Sequence, residues 1–151
     1  MDYEIAEEPG ATFALVTHTV PREEASIAIP DGLETVGQWA KDGAVSGPPL
    51  TMSRLADDGR LELRSGWHVR PDSEPPEPIE LVHVPEQRAA VHLYVGAYEG
   101  LGDVYMQLWD ALTAGGHQPG EWPREIYLTN PAEEPDPTKH VTRIVWPLAS
   151  S

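Results

Sequence analysis

The stretch GLGDVYMQLWDALTAGG (100–116) decides the fold, because its apolar residues Leu101, Val104, Tyr105, Leu108 and Leu112 recur at helical spacing and Gly115-Gly116 end the pattern. On either side the period changes. RAAVHLYVGAY (88–98) precedes it, and REIYL (124–128) and HVTRIVWPL (140–148) follow, all rich in β-branched and aromatic residues. Upstream of these, IELVHV (79–84) is also strand-like and is set apart by Pro85. The first part of the chain has the same order of elements. ATFALVTHTV (11–20) reads as a strand, and DGLETVGQWAKDG (31–43) as a helix with Asp31 as N-cap and Glu34 completing a capping box. PLTMSRL (49–55) and LELRSGWHV (61–69) then form a hairpin across Asp57-Asp58-Gly59.

The order is strand, helix, strand, strand, given twice, with the proline- and acid-rich PDSEPPEP (71–78) as an extended linker. The halves also match weakly in sequence: VPREE (20–24) with VGAYE (95–99), GPPLTMSRL (47–55) with EWPREIYL (121–128), and Trp67 with Trp146. The expected fold is α+β: duplicated βαββ units with pseudo-twofold symmetry, antiparallel sheets, two main helices and a central ligand cleft. One domain over 1–151 is expected, its first half about 1–70, the linker about 71–78, and its second half about 79–151.

Composition removes several function classes. The 151 residues carry 10 Lys+Arg against 25 Asp+Glu, a formal charge of −15. Phosphate neutralisation needs clustered cations, so direct nucleic-acid binding is excluded, and an anionic membrane surface is an equally poor partner. No run approaches the roughly 20 apolar residues of a spanning helix, and MDYEIAEEPG is not a secretory signal, so a cytoplasmic location is expected. With no cysteine there is no disulfide, thiolate nucleophile or Cys-based zinc site. The six histidines lack metal-ligand spacing, so no metal is expected, and GAYEGLG (96–102) lacks the lysine of a phosphate loop. No cofactor is expected. Five Trp and five Tyr against one Phe suit a ligand-lined surface as well as a core.

From Val91 to Leu148 the sequence resembles the GyrI-like, or AraC-type effector-binding, domain family. The shared features, in order, are Gly96-x-Tyr98 after a strand, the amphipathic helix with its Gly-Gly stop, Glu125-x-Tyr127-Leu128 with Pro131, and Thr142-x-Ile144 with Pro147-Leu148. The first half fits more loosely, through Gly66-Trp67-His68-Val69. The resemblance implies a stand-alone domain that captures small hydrophobic, often cationic molecules, as multidrug-binding members do, with Glu125 as the ligand-binding acid. It also implies two other readings: a hydrolase of strained, cyclopropane-bearing metabolites, and an acidic protein that inhibits a gyrase-like enzyme. A homodimer is compatible with it.

On a strand, Glu125 and Tyr127 share one face and Ile126 and Leu128 the other; the apolar pair is expected to serve the helix-covered core, leaving the carboxylate and phenol to the cleft. As a catalyst Glu125 would serve as general acid or base, aided by Tyr127 or His68; as a bystander it would be an exposed edge-strand glutamate. Trp67 and Trp146 are expected to sandwich a flat ligand or simply to pack the core. Tyr94, Tyr98 and His92 are further candidate walls, and Trp39 can close one end. Trp109 reads as a packing residue.

Overall fold

A computed structural model describes residues 1–149. It is mixed α+β, with eight strands and two long helices: β1 (Glu4–Glu8), β2 (Ala11–Val20), α1 (Ala25–Ala40), β3 (Val45–Leu55), β4 (Leu61–Val69), β5 (Glu80–Val84), β6 (Gln87–Val95), α2 (Leu101–Ala114), β7 (Arg124–Tyr127) and β8 (Val141–Pro147). All strand pairs described here are antiparallel. The chain divides into two compact units, one made of 1–8 with 87–151 and the other of 9–86.

The two units share one plan. In the first the strands lie in the order β1-β6-β8-β7, and in the second β5-β2-β4-β3. Trp146 lies opposite Ala90 in one unit and Trp67 opposite Ala14 in the other, which is the equivalence the sequence suggests. Strand pairing does not follow chain order, however. β1 opens the chain but pairs with β6, while β5, read as the start of the second half, pairs with β2. β1, from the first half of the chain, therefore lies with strands of the second half, and β5 with strands of the first. β1 escapes a reading by composition because it is short and acidic; Ile5 alone of its side chains joins the apolar cluster under α2.

Within the unit formed by 9–86, Val36 and Ala40 of α1 pack on Ala14 and Val16 of β2 and Val69 of β4. Close approach is built in: a Cβ on Gly66 would stand 1.8 Å from the Ala14 carbonyl oxygen of the neighbouring strand. α1 begins six residues before the expected Asp31 cap, so that capping box does not form. Pro21 and a 3-10 turn at Arg22–Glu24 start the helix instead, and Pro30 lies inside it. Asp31 faces solvent and pairs with His18 at 3.0 Å. The local signal at 31–34 is overridden because Ala28 is buried in the unit, which favours an earlier helix start by nearly two turns.

Pro30 has no N–H to donate to the Ser26 carbonyl and crowds it. Because Pro30 is exposed, Pro30→Ala is expected to stabilise the protein by about 1–2 kcal/mol. A higher urea midpoint at unchanged slope is the expected observation, and a lower one would show that the helix gains from the ring.

In the other unit α2 follows the predicted stripe. Leu101, Val104, Leu108 and Leu112 are buried against Ala90, Ile144 and Trp146. Complete burial of side chains such as Leu108, Leu112 and Ile144 contributes about 1.5–3 kcal/mol each relative to exposure. Gly116, at φ 82°, turns the chain out of the helix.

Candidate functional site

All four residues of β7, Arg124 to Tyr127, are buried. Alternation sends Glu125 and Tyr127 to one face, as expected, but that face is the one under α2. The expected facing is reversed: Tyr105 of the helix reaches the Glu125 carboxylate, Ile126 points away from α2, and Leu128 is exposed. The physical reason lies in the helix. Its aliphatic stripe rests on β6 and β8, and toward β7 the side chain that follows is a tyrosine, whose hydroxyl needs an acceptor.

Glu125 is 8% exposed and each of its oxygens receives a phenol. Tyr127 donates to Oε1 at 2.5 Å and Tyr105 to Oε2 at 3.0 Å. Among the described residues no Lys, Arg or His lies within ion-pair distance of it. Burial pushes the Glu125 carboxyl pKa up, and the hydrogen bonds from Tyr127 and Tyr105 restrain that rise. Burial, reinforced by the nearby Glu125 charge, raises Tyr105 well above the usual phenol value and also raises Tyr98. The Tyr105 phenol therefore stays protonated near neutral pH and remains a donor to Glu125.

Aromatic rings surround this trio. Tyr98 meets Tyr127 edge-on at 5.5 Å between centroids and lies 5.5 Å from His140. Tyr105 meets Trp146 at 5.8 Å, and Trp146 meets the half-exposed Trp109 at 5.7 Å. The Trp146 indole donates to the Gly120 carbonyl at 2.9 Å, fixing the turn that leads into β7. Electron-rich ring faces around a buried carboxylate make an environment suited to an apolar cation.

The structure thus brings together Glu125, Tyr127, Tyr98 and, through Tyr105, Trp146. The Tyr94 hydroxyl donates to the Ala97 carbonyl at 2.7 Å, beneath the segment that carries Tyr98. His92 bonds the Asp2 carbonyl. Trp67, His68 and Trp39 belong to the 9–86 unit. There the Trp67 indole donates to the Leu33 carbonyl at 2.9 Å, mirroring Trp146. His68 bonds the Pro48 carbonyl at 2.7 Å and stands edge-on to Phe13. Trp39 borders an open cavity of about 410 Å³ with Asp42, Arg70 and Glu74.

Sequence reasoning missed Tyr105, His140 and the role of Trp109. Tyr105 carried a usable signal, since a lone hydroxyl in an apolar helical stripe needs a partner. His140 carried none; its contacts depend on the loop that precedes β8. Among the described residues no group of three or more His, Asp or Glu side chains is arranged to hold a metal ion. No described helix is long and apolar enough to cross a membrane.

The family model for the GyrI-like small molecule binding domain matches residues 1–149. The chain belongs to that family. Among solved structures, this GyrI-like domain is similar to the C-terminal domain of EcmrR, with TM-score 0.81, 18% identity, and coverage of 99% of this chain and 98% of that one. In the EcmrR–DNA complex, TM-score 0.79 and 17% identity, the match covers 99% of this chain but only 58% of the EcmrR chain. The GyrI-like chain is also similar to SAV2435 bound to tetraphenylphosphonium (TM-score 0.71, 12% identity, 99% and 95% covered). A hydrolase from Listeria innocua is a further neighbour (TM-score 0.61, 14% identity, 98% and 92% covered). No curated protein sequence matches this GyrI-like chain.

Proposed function

We propose that this GyrI-like domain captures a small hydrophobic cation at Glu125, with Tyr98, Tyr105, Tyr127 and Trp146 as the aromatic wall. The observation that carries the reading is a carboxylate that is 8% exposed, held by two neutral phenols and lacking a counter-cation among the described residues. Burying an ionised carboxylate without a cation costs several kcal/mol, about the cost per ion in a protein interior. A ligand cation arriving there offsets that cost, and ring faces supply attraction that needs no N–H on the ligand. The SAV2435 structure with tetraphenylphosphonium supports trying that class of ligand first. Such a molecule would be sensed or sequestered rather than changed.

Titration with tetraphenylphosphonium, followed by the fluorescence of Trp146 and Trp109, tests this. The expected result is saturable quenching by the cation and little response to triphenylphosphine oxide, which is neutral and of similar bulk. An equal response to both, or a response that survives intact in Glu125→Ala, would overturn the reading.

A second reading is favoured by the same raised pKa. A carboxyl that holds its proton to higher pH, beside a phenol at 2.5 Å, can serve as general acid for opening a strained ring and then as base for the incoming water. Turnover of a cyclopropane-bearing electrophile that disappears in Glu125→Gln is the outcome that would favour it over capture alone.

A further inference from the structure

Glu125 is nearly sealed, so a ligand must displace something to reach it. Of the aromatic rings in or against the Tyr105–Glu125–Tyr127 set, Tyr98 lies at the solvent side, at 37% exposed against 8% for both Glu125 and Tyr127. It rides on the segment Gly96–Gly100, which links β6 to α2 and forms a 3-10 turn at Tyr98–Gly100.

That segment is wrapped around one hydroxyl. Tyr94, at the end of β6, donates to the Ala97 carbonyl at 2.7 Å, in the middle of the segment. Both flanking glycines press on the same phenol. A Cβ would lie 2.8 Å from the Tyr94 hydroxyl oxygen at Gly96 and 2.3 Å from it at Gly100. Gly96 also has φ 152°, a conformation that disfavours any side chain, and its N–H donates to the His140 carbonyl at 2.8 Å. Two hydrogen bonds, from the Tyr94 hydroxyl to the Ala97 carbonyl and from the Gly96 N–H to the His140 carbonyl, thus tie the segment to β6 and to the residue before β8.

We infer that Gly96–Gly100 is the door to the Glu125 site and that the Tyr94 hydroxyl is its latch. Tyr98 is the face of the door: closed, its ring lies on Tyr127 and His140; swung out, it uncovers the carboxylate. Tyr94 is then a positioning residue, acting through Tyr98 and touching neither carboxylate oxygen. The inference rests on Glu125 being the ligand-binding acid only for its consequence in binding; the door itself can be tested without a ligand.

Tyr94→Phe keeps the ring and removes only the latch, a change worth about fivefold in the closed-to-open ratio. In stopped-flow mixing with tetraphenylphosphonium, association and dissociation are both expected to quicken by about that factor. The ligand-free arm is carbodiimide coupling of glycine ethyl ester, with each carboxyl read by peptide mass spectrometry. Glu125 is expected to couple about fivefold faster in Tyr94→Phe, while Glu8, equally buried at 6% exposure on the opposite face of the same sheet, keeps its wild-type rate. A Glu125 rate that is unchanged, or that rises in step with Glu8, overturns the door. If the wild type ignores tetraphenylphosphonium, the capture reading fails and the coupling rates still decide the inference.

Discussion

Glu125→Gln is expected to lose cation binding by at least about thirtyfold, close to 2 kcal/mol, while making the folded protein more stable at neutral pH. The two effects have one origin. Glutamine keeps the shape and accepts at least one of the phenol hydrogens, but it places no charge under α2. Because burial raises the folded-state pKa of Glu125, the native protein holds this proton to higher pH than the unfolded chain does. The stability from this group is therefore fully present below the ordinary carboxylate pKa. It is lost as pH rises from that value through the raised folded one. Glu125→Gln removes this loss, and above the window it should exceed the wild type by about 1–2 kcal/mol, several degrees in Tm. Binding has the opposite trend. A cation favours the ionised carboxylate, so wild-type affinity for tetraphenylphosphonium should climb with pH across the same window, with uptake of the ligand releasing a proton. In Glu125→Gln both slopes should vanish. Calorimetric titration in buffers of different ionisation enthalpy, with thermal melts over the same pH range, measures them together. A variant that binds weakly yet melts lower would show that Glu125 is held for structure and not for charge.

The legible parts of this chain were those governed by local period and by repetition. The α2 stripe, the hairpin at Asp57-Asp58-Gly59 and the strand at 61–69 follow from residues close in sequence, and the structure has them at those positions. The GyrI-like motifs carried the family. The rest required tertiary information. The start of α1 was decided by burial of Ala28 and not by the capping pattern at Asp31. The facing of Glu125 turned on a hydroxyl from α2, twenty residues away, that no alternation rule within β7 can see. The exchange of β1 and β5 between the halves was hidden because a five-residue strand is too short to announce its partner. His140 and Tyr98 meet only because the loop before β8 folds back, with the His140 ring donating to the Glu134 carbonyl at 2.7 Å.

The largest stability effect is expected from Glu8→Ala, although Glu8 lies outside the proposed Glu125 site. Glu8 is the last residue of β1 and is buried on the face away from α2. Arg143 grips it with both terminal nitrogens, Nη2 donating to Oε1 at 2.6 Å and Nη1 to Oε2. Arg124, 2% exposed, brings Nη2 to 3.9 Å from the same carboxylate and donates from Nη1 to the Gln87 side chain at 3.3 Å. Burial lowers the Arg124 pKa and Glu8 opposes that fall, while hydrogen bonding to Glu8 raises Arg143. Arg124 and Arg143 thus both face the Glu8 carboxylate, and removing it leaves these like charges together. Breaking a buried ion pair in this way costs about 3–5 kcal/mol, against a domain stability of roughly 5–15 kcal/mol. Urea denaturation should show that drop, and amide exchange along Glu4–Glu8 should quicken because β1 loses its anchor at Arg143. The triple change Glu8→Met, Arg124→Met, Arg143→Met should recover much of the loss, since these three charges then need no solvation. If Glu8→Ala instead costs less than about 1 kcal/mol, water reaches this face and the ion pair behaves as a surface one. β1 would then be held mainly by its backbone ladder with β6 and by Ile5.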